Sequence, residues 1–121
     1  TRVLVTGSNG FVGHHLCRRL VDRGAEVLAL VHRRGDRLPN SPALLQLAGD
    51  VLDPASLART LSEHGPVGAI AHLATEPPGD GARARTNQTG TANILLAARG
   101  AGVRRVVFTS TMSVFDFLDP K

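Results

Sequence analysis

Val3-Leu4-Val5-Thr6-Gly7-Ser8-Asn9-Gly10-Phe11-Val12-Gly13 decides the fold. An apolar run enters three glycines spaced three apart, and an amphipathic segment leaves them. Gly7 can take the dihedrals of a tight turn, Gly10 admits a ligand close to the backbone, and Gly13 lets the following helix sit near the strand. N–H groups around Phe11 and Val12 would lack helical acceptors and would lie at the positive end of the helix dipole. The stretch from Gly7 to Val12, Asn9 included, therefore reads as a cradle for an anion, and a pyrophosphate is its natural ligand.

Three glycines alone are weak evidence, and their surroundings decide the matter. Val12, Leu16 and Leu20 recur at helical spacing, Gly24 supplies a stop, and Glu26–Val31 reads as a second strand. Leu44–Ala48 reads as a third strand. Asp53 as N-cap and Pro54 at the first helical position begin a second helix that runs through Leu57 and Leu61 to Gly65. Residues 67–73 give a fourth strand, residues 82–100 a long helix with the small Gly90 to lie close on the sheet, and residues 103–108 a fifth strand. Strands alternating with helices predict an α/β, Rossmann-type doubly wound parallel sheet in the order 3-2-1-4-5, with its ligand crevice above the first and fourth strands.

The 121 residues are expected to form one domain, residues 1–121. Hydrophobic residues make up 42%, and no apolar run approaches the ~20 residues that span a bilayer, so no membrane partner is expected. Thr1 enters a strand with no Met or charged leader, which suggests trimming at the N-terminus. The single Cys17 excludes an internal disulfide and reads as core, in keeping with a reducing cytoplasm. A net charge of +4 invites a nucleic-acid reading. Thirteen of the fourteen basic residues are arginines dispersed along the chain, and without Tyr or Trp there is little to stack on bases, so no nucleic-acid partner is expected. No metal-ligand cluster is visible.

Several side chains fall at the C-terminal ends of strands, where ligands bind in such sheets. His32-Arg33-Arg34 follows the second strand with no carboxylate to accept ribose hydroxyls, which favours NADP over NAD. Asp50 follows the third strand and can accept from an adenine amino group. Asp53 is the better helix cap, which leaves Asp50 free. His72 lies inside the fourth strand run and reads as a satisfied core histidine. Asn87, a poor helix former, is expected to make a specific hydrogen bond. Thr109, Ser110 and Thr111 gather hydroxyls after the fifth strand, facing the crevice.

Five motifs in order resemble the extended short-chain dehydrogenase/reductase family of NAD(P)-dependent epimerases, dehydratases and dihydroflavonol-reductase-like enzymes, over nearly the whole chain. They are Thr6-Gly7-x-x-Gly10-Phe11-x-Gly13, Gly49-Asp50-Val51, His72-Leu73-Ala74, Asn87-x-x-Gly90-Thr91 and Thr109-Ser110-Thr111-x-x-Val114. The resemblance implies pyrophosphate held by residues 7–12, adenine by Asp50 and Val51, and the ribose side by Leu73, Ala74 and Thr75. It further implies nicotinamide beside Thr109 and Ser110, and a catalytic hydroxyl at Thr111 that hydrogen-bonds the substrate oxygen. His32 and Arg33 fall where the family chooses its cofactor. A carbonyl or sugar-nucleotide substrate, hydride transfer and a homodimeric full-length protein follow from the same resemblance.

The departures matter as much. Family members carry Tyr-x-x-x-Lys on the next helix, and this chain has no Tyr. Phe115 and Asp116 stand where Tyr-Gly often closes the fifth motif. A threonine hydroxyl alone is too poor an acid to replace tyrosine. The chain thus reads as the cofactor-binding part of a longer enzyme, truncated before the catalytic helix, with apolar surface and the fifth strand's edge left uncovered. A non-catalytic NADP-binding regulator is the alternative.

Overall fold

Val3, Leu4 and Val5 lie at the centre of a parallel sheet, buried from both faces, as an unbroken apolar run requires. The computed structural model describes residues 1–32, 35–75 and 81–110. Its elements follow in the order β1 (Arg2–Thr6), α1 (Phe11–Asp22), β2 (Glu26–Val31), β3 (Leu44–Ala48), α2 (Pro54–Glu63), β4 (Ala69–His72), α3 (Gly81–Gly100) and β5 (Arg105–Phe108). The strands stand in the order β3-β2-β1-β4-β5, the doubly wound arrangement expected from the sequence. Every neighbouring pair is parallel.

Side-chain alternation sends the two faces of β1, β2 and β4 to different cores. Leu4, Leu28, Leu30 and Ile70 meet Leu57 and Leu61 of α2 and Ile94 and Ala98 of α3. Val3, Val5, Val27, Ala29, Val31 and Ala71 meet Cys17 of α1 and Leu38. The register sets Thr6 beside both Leu30 and His72, and His72 beside Phe108. The C-terminal ends of the strands therefore form one crest.

Four boundaries differ from the sequence reading, for local reasons. The C-terminal end of α2 is Glu63, with His64 as C-cap, because Pro66 cannot donate to a further turn. Strand β4 is shorter than residues 67–73, and backbone bonds from Gly68 to Arg2 and from Leu73 to Thr6 mark its limits. Strand β5 opens at Arg105 rather than 103, since the Val103 N–H closes the end of α3 on the Ala98 carbonyl. Helix α3 begins one residue early, at Gly81. Among the described residues β5 is paired on one side only, and Val107 and Phe108 are exposed, as expected of an uncovered edge.

Helix α3 is fastened by a narrow stripe, Gly90, Ile94 and Ala98. Ile94 is buried in the core while Leu96, on the far side of the helix, is exposed. Replacing Ile94 by Ala should cost about 2–5 kcal/mol through lost burial and a residual cavity. Leu96→Ala should stay within about 0.5 kcal/mol. Urea unfolding of the two variants checks the contrast.

Candidate functional site

The glycine loop is held from three sides. Gly7 has φ +67°, in the left-handed region, and a Cβ there would lie 2.7 Å from the Ala74 nitrogen. The positive φ and the close approach of the strand after β4 both call for glycine. A Cβ on Gly13 would collide with the Gly7 carbonyl, which brings the first turn of α1 tight against the loop. Ser8 is fully buried and donates its hydroxyl to the Leu30 carbonyl at 2.9 Å, pinning the loop to β2. Asn9 packs against the backbone of Gly35, whose Cβ would meet the carboxamide at 3.0 Å.

Gly10 is the N-cap of α1, in an extended conformation (φ −70°, ψ 173°), and its N–H bonds to the Gly7 carbonyl at 3.0 Å. No side chain caps this helix and no acidic residue stands in its first turn. Phe11 and Val12 are 75% and 57% exposed. Most helix starts recruit a Ser, Thr, Asp or Asn, as Asp53 does for α2 by accepting from the Ala55 and Ser56 N–H groups. The start of α1 instead presents its donors and the positive end of its dipole outward. The cradle fits an anion, and a Cβ on Gly10 would meet nothing nearer than the Gly7 carbonyl at 3.1 Å.

Beside the loop lies a chain of neutral hydrogen bonds that the sequence reading largely passed over. The Thr6 hydroxyl oxygen accepts from the N–H groups of Leu73 (3.1 Å) and Ala74 (3.2 Å). Both lone pairs are then used, so its hydrogen goes to the third partner, His72 Nδ1, at 2.7 Å. Nδ1 being the acceptor, the ring proton sits on Nε2, from which it is donated to the Thr91 hydroxyl at 3.2 Å. The tautomer follows from the bonding pattern. Burial lowers the His72 pKa from its ordinary value, in agreement with a neutral ring. His72 is the satisfied core histidine that its place in the strand implied, and it reaches further than that role required, from β1 through β4 to α3.

At the end of β3, Asp50 is not free as the sequence had suggested. Its Oδ1 accepts from the Leu52 N–H at 2.9 Å and its carbonyl from the Asp53 N–H. These bonds fix the turn and aim the carboxylate, whose Oδ2 stands 4.0 Å from His32 Nε2. Val51 packs partly against the core and its carbonyl accepts from Asn93 Nδ2 at 2.9 Å. Gly90 lies against Val51 rather than on the sheet: a Cβ there would come within 2.9 Å of the valine Cγ2. Thr75, Thr109 and Ser110 are exposed at the crest, and Leu73 and Ala74 are half-buried. Arg33 and Thr111 lie outside the described residues.

The structure thus gathers Gly7, Asn9, Gly10, Phe11, Val12, His32, Asp50, Val51, Leu73, Ala74, Thr75, Thr109 and Ser110 along the C-terminal ends of five strands. Thr6 and Thr91 had been read only as motif positions and Ser8 only as part of residues 7–12, and Asn93 had not been singled out. Asn93 had a signal, since it falls one helical turn after Gly90 on a shared face. Ser8 had none, because only the register of β1 on β2 reveals its acceptor. Among the described residues no group of His, Cys, Asp and Glu could hold a metal, and no helix is long and apolar enough to cross a membrane. Burial pushes the Cys17 thiol up to about 11, which leaves it protonated and unreactive near neutrality.

The match to known proteins follows this geometry. The model of the NAD dependent epimerase/dehydratase family spans residues 3–120. The chain belongs to that family. This epimerase/dehydratase chain is 35% identical to a 2-alkyl-3-oxoalkanoate reductase of Stenotrophomonas maltophilia, over 93% of its own length and 34% of the reductase's. It is 30% identical to a UDP-glucose 4-epimerase of Klebsiella pneumoniae, covering 94% of itself and 91% of that protein. Among solved structures it superposes on the Bordetella bronchiseptica enzyme WbmG in complex with NAD with a TM-score of 0.84 and 28% identity, over 94% of this chain and 38% of that one. The chain therefore spans about a third of the length of the reductase and of WbmG.

The lowered His72 pKa sets a pH dependence. Unfolded histidine takes up a proton below about pH 6.5, whereas the folded ring does so only at lower pH. The unfolded state then binds more protons, so stability is full above about pH 6.5 and falls as pH drops toward the folded pKa. The slope of unfolding free energy between pH 7 and 5, measured in urea, should flatten in His72→Asn.

Proposed function

We propose that the crest binds a nicotinamide dinucleotide with its pyrophosphate against the start of α1, and that the whole protein moves a hydride to or from a carbonyl or alcohol carbon of a small molecule or sugar nucleotide. The open helix start carries this reading: no side-chain cap and no first-turn acid, behind a glycine at φ +67°. An anion placed there takes the donors that other helices satisfy internally. Support comes from the relatives, a reductase and a UDP-glucose 4-epimerase, and from NAD in the WbmG structure.

In this reading residues 7–12 hold the pyrophosphate, Asp50 and Val51 the adenine, and Leu73, Ala74 and Thr75 the ribose side, with Thr109 and Ser110 beside the nicotinamide. When bound, the cofactor supplies a carbon that gives or takes hydride. Thr111 would orient the substrate oxygen by hydrogen bonding. A hydroxyl is too weak an acid to supply the proton alone, and the chain contains no Tyr. The 121 residues therefore bind cofactor without turning over. The second reading is a non-catalytic NADP-binding sensor or regulator. A Tyr-x-x-x-Lys pair elsewhere in the whole protein would exclude it.

Between the two dinucleotides we infer NADP. Val31, His32, Arg33 and Arg34 offer no carboxylate to the ribose hydroxyls. A guanidinium can bind the extra phosphate through paired, charge-assisted hydrogen bonds. One such contact, discounted for solvent screening, is worth roughly tenfold in affinity.

Two variants test these assignments by titration calorimetry with NAD and NADP. Gly10→Val keeps an allowed extended backbone but sets a Cβ 3.1 Å from the Gly7 carbonyl, so its fold is checked by circular dichroism, and the folded variant should lose dinucleotide binding because the branched side chain enters the pyrophosphate path. Undiminished binding would overturn the cradle. Arg33→Ala should weaken NADP about tenfold and leave NAD nearly unchanged. Equal losses, or a parent that prefers NAD, would refute the cofactor choice.

A further inference from the structure

We propose that one turn of α3, residues 90–93, positions both halves of the cofactor crest at once. Thr91 serves the nicotinamide side and Asn93 the adenine side. The inference rests on the dinucleotide reading above, and adds residues that touch no cofactor in it.

Thr91 and Asn93 are two residues apart, about 200° around a helix, so they reach in opposite directions. Thr91 accepts from His72 Nε2 at 3.2 Å. His72 in turn receives the hydrogen of Thr6, whose oxygen holds the Leu73 and Ala74 N–H groups. Removing the Thr91 hydroxyl leaves a buried imidazole N–H without its acceptor, and the ring must shift or tilt to find another. The Thr6 hydroxyl ties that ring to the Leu73 and Ala74 N–H groups, of which only Leu73 also reaches the Thr6 carbonyl, at 3.2 Å, so a displaced ring disturbs the Ala74 end most.

Asn93 acts on the other side. Its Nδ2 donates to the Val51 carbonyl at 2.9 Å, across 42 residues of sequence. Gly90, buried on the same face, lets the helix approach until a Cβ would stand 2.9 Å from the Val51 Cγ2. The contact and the bond together hold the turn that carries Asp50, whose own Oδ1 is already committed to the Leu52 N–H. With the turn fixed at Val51, the remaining carboxylate oxygen of Asp50 has one direction in which to meet a ligand. Two loops separated by the width of two strands, β1 and β2, are thus referred to a single rigid turn.

The half-cofactors separate the two arms. Adenosine monophosphate and nicotinamide mononucleotide are titrated separately into the 121-residue chain and followed by NMR shifts. Asn93→Ala should weaken adenosine monophosphate at least threefold and leave nicotinamide mononucleotide within twofold. Thr91→Val should do the reverse, and Thr91→Ser should restore parental binding. General loosening of the fold would weaken both probes in both variants, and that outcome, like no change in either, overturns the proposal. Should Asn93→Ala fail to fold, Asn93→Asp keeps the shape, removes the donor, and must give the same selective loss. A parent that binds no dinucleotide would overturn the reading of the crest and this inference together. A parent that binds, with variants that show no crossed pattern, overturns this inference alone.

Discussion

The hydroxyl of Thr6 uses every hydrogen bond available to it, two accepted from backbone and one donated to His72. It is fully buried, so none of these can be exchanged for water. A buried polar network of this kind is stabilising only when complete, and one missing member leaves several groups unsatisfied. Thr6 is also the last residue of the central strand, from which the glycine loop departs. The direction in which that loop leaves the sheet and the position of the strand-four loop are consequently one constraint.

That constraint explains how the loop can present unsatisfied donors. A polypeptide ordinarily folds so that exposed helix starts are capped. Here the neighbouring polar groups are committed elsewhere: Ser8 to Leu30, Thr6 to the strand-four loop, and Asp50 to its own turn. None of these three side chains is turned to the start of α1, which keeps no side-chain cap. Preorganisation of this sort lowers the cost of binding, since the anion meets donors that need not move.

Much of this was legible from residue order. The apolar runs of β1 and β2 and the Asp53-Pro54 start of α2 agree with the structure, because burial on both faces and capping chemistry are local properties, and β3 was found too, although as an edge strand it fully buries none of its residues. Strand order followed from the handedness of crossovers. The ends of β4 and β5 did not, since pairing partners and the closure of α3 on Val103 decide them, and neither is written in the strand itself. At the site, the glycines marked the positive-φ turn at Gly7 and the close approach at Gly13 that the structure shows. The groups that hold the site in place, Ser8, Thr91 and Asn93, are ordinary polar residues whose meaning depends on partners 22, 19 and 42 positions away. Gly90 was read correctly as a point of close approach and wrongly as facing the sheet, because spacing reports that a helix comes near something without saying what.

Cys17 gives the molecule a built-in clock. It is the one thiol in the sequence, it has no exposed surface, and its high pKa suppresses the reactive thiolate. A thiol-directed reagent can reach it only when α1 lifts from the sheet, so the labelling rate counts openings of the helix whose uncapped start follows the glycine loop. Any ligand that holds the start of α1 closes the same door, and the slowing of alkylation then measures its occupancy without a signal from the ligand itself.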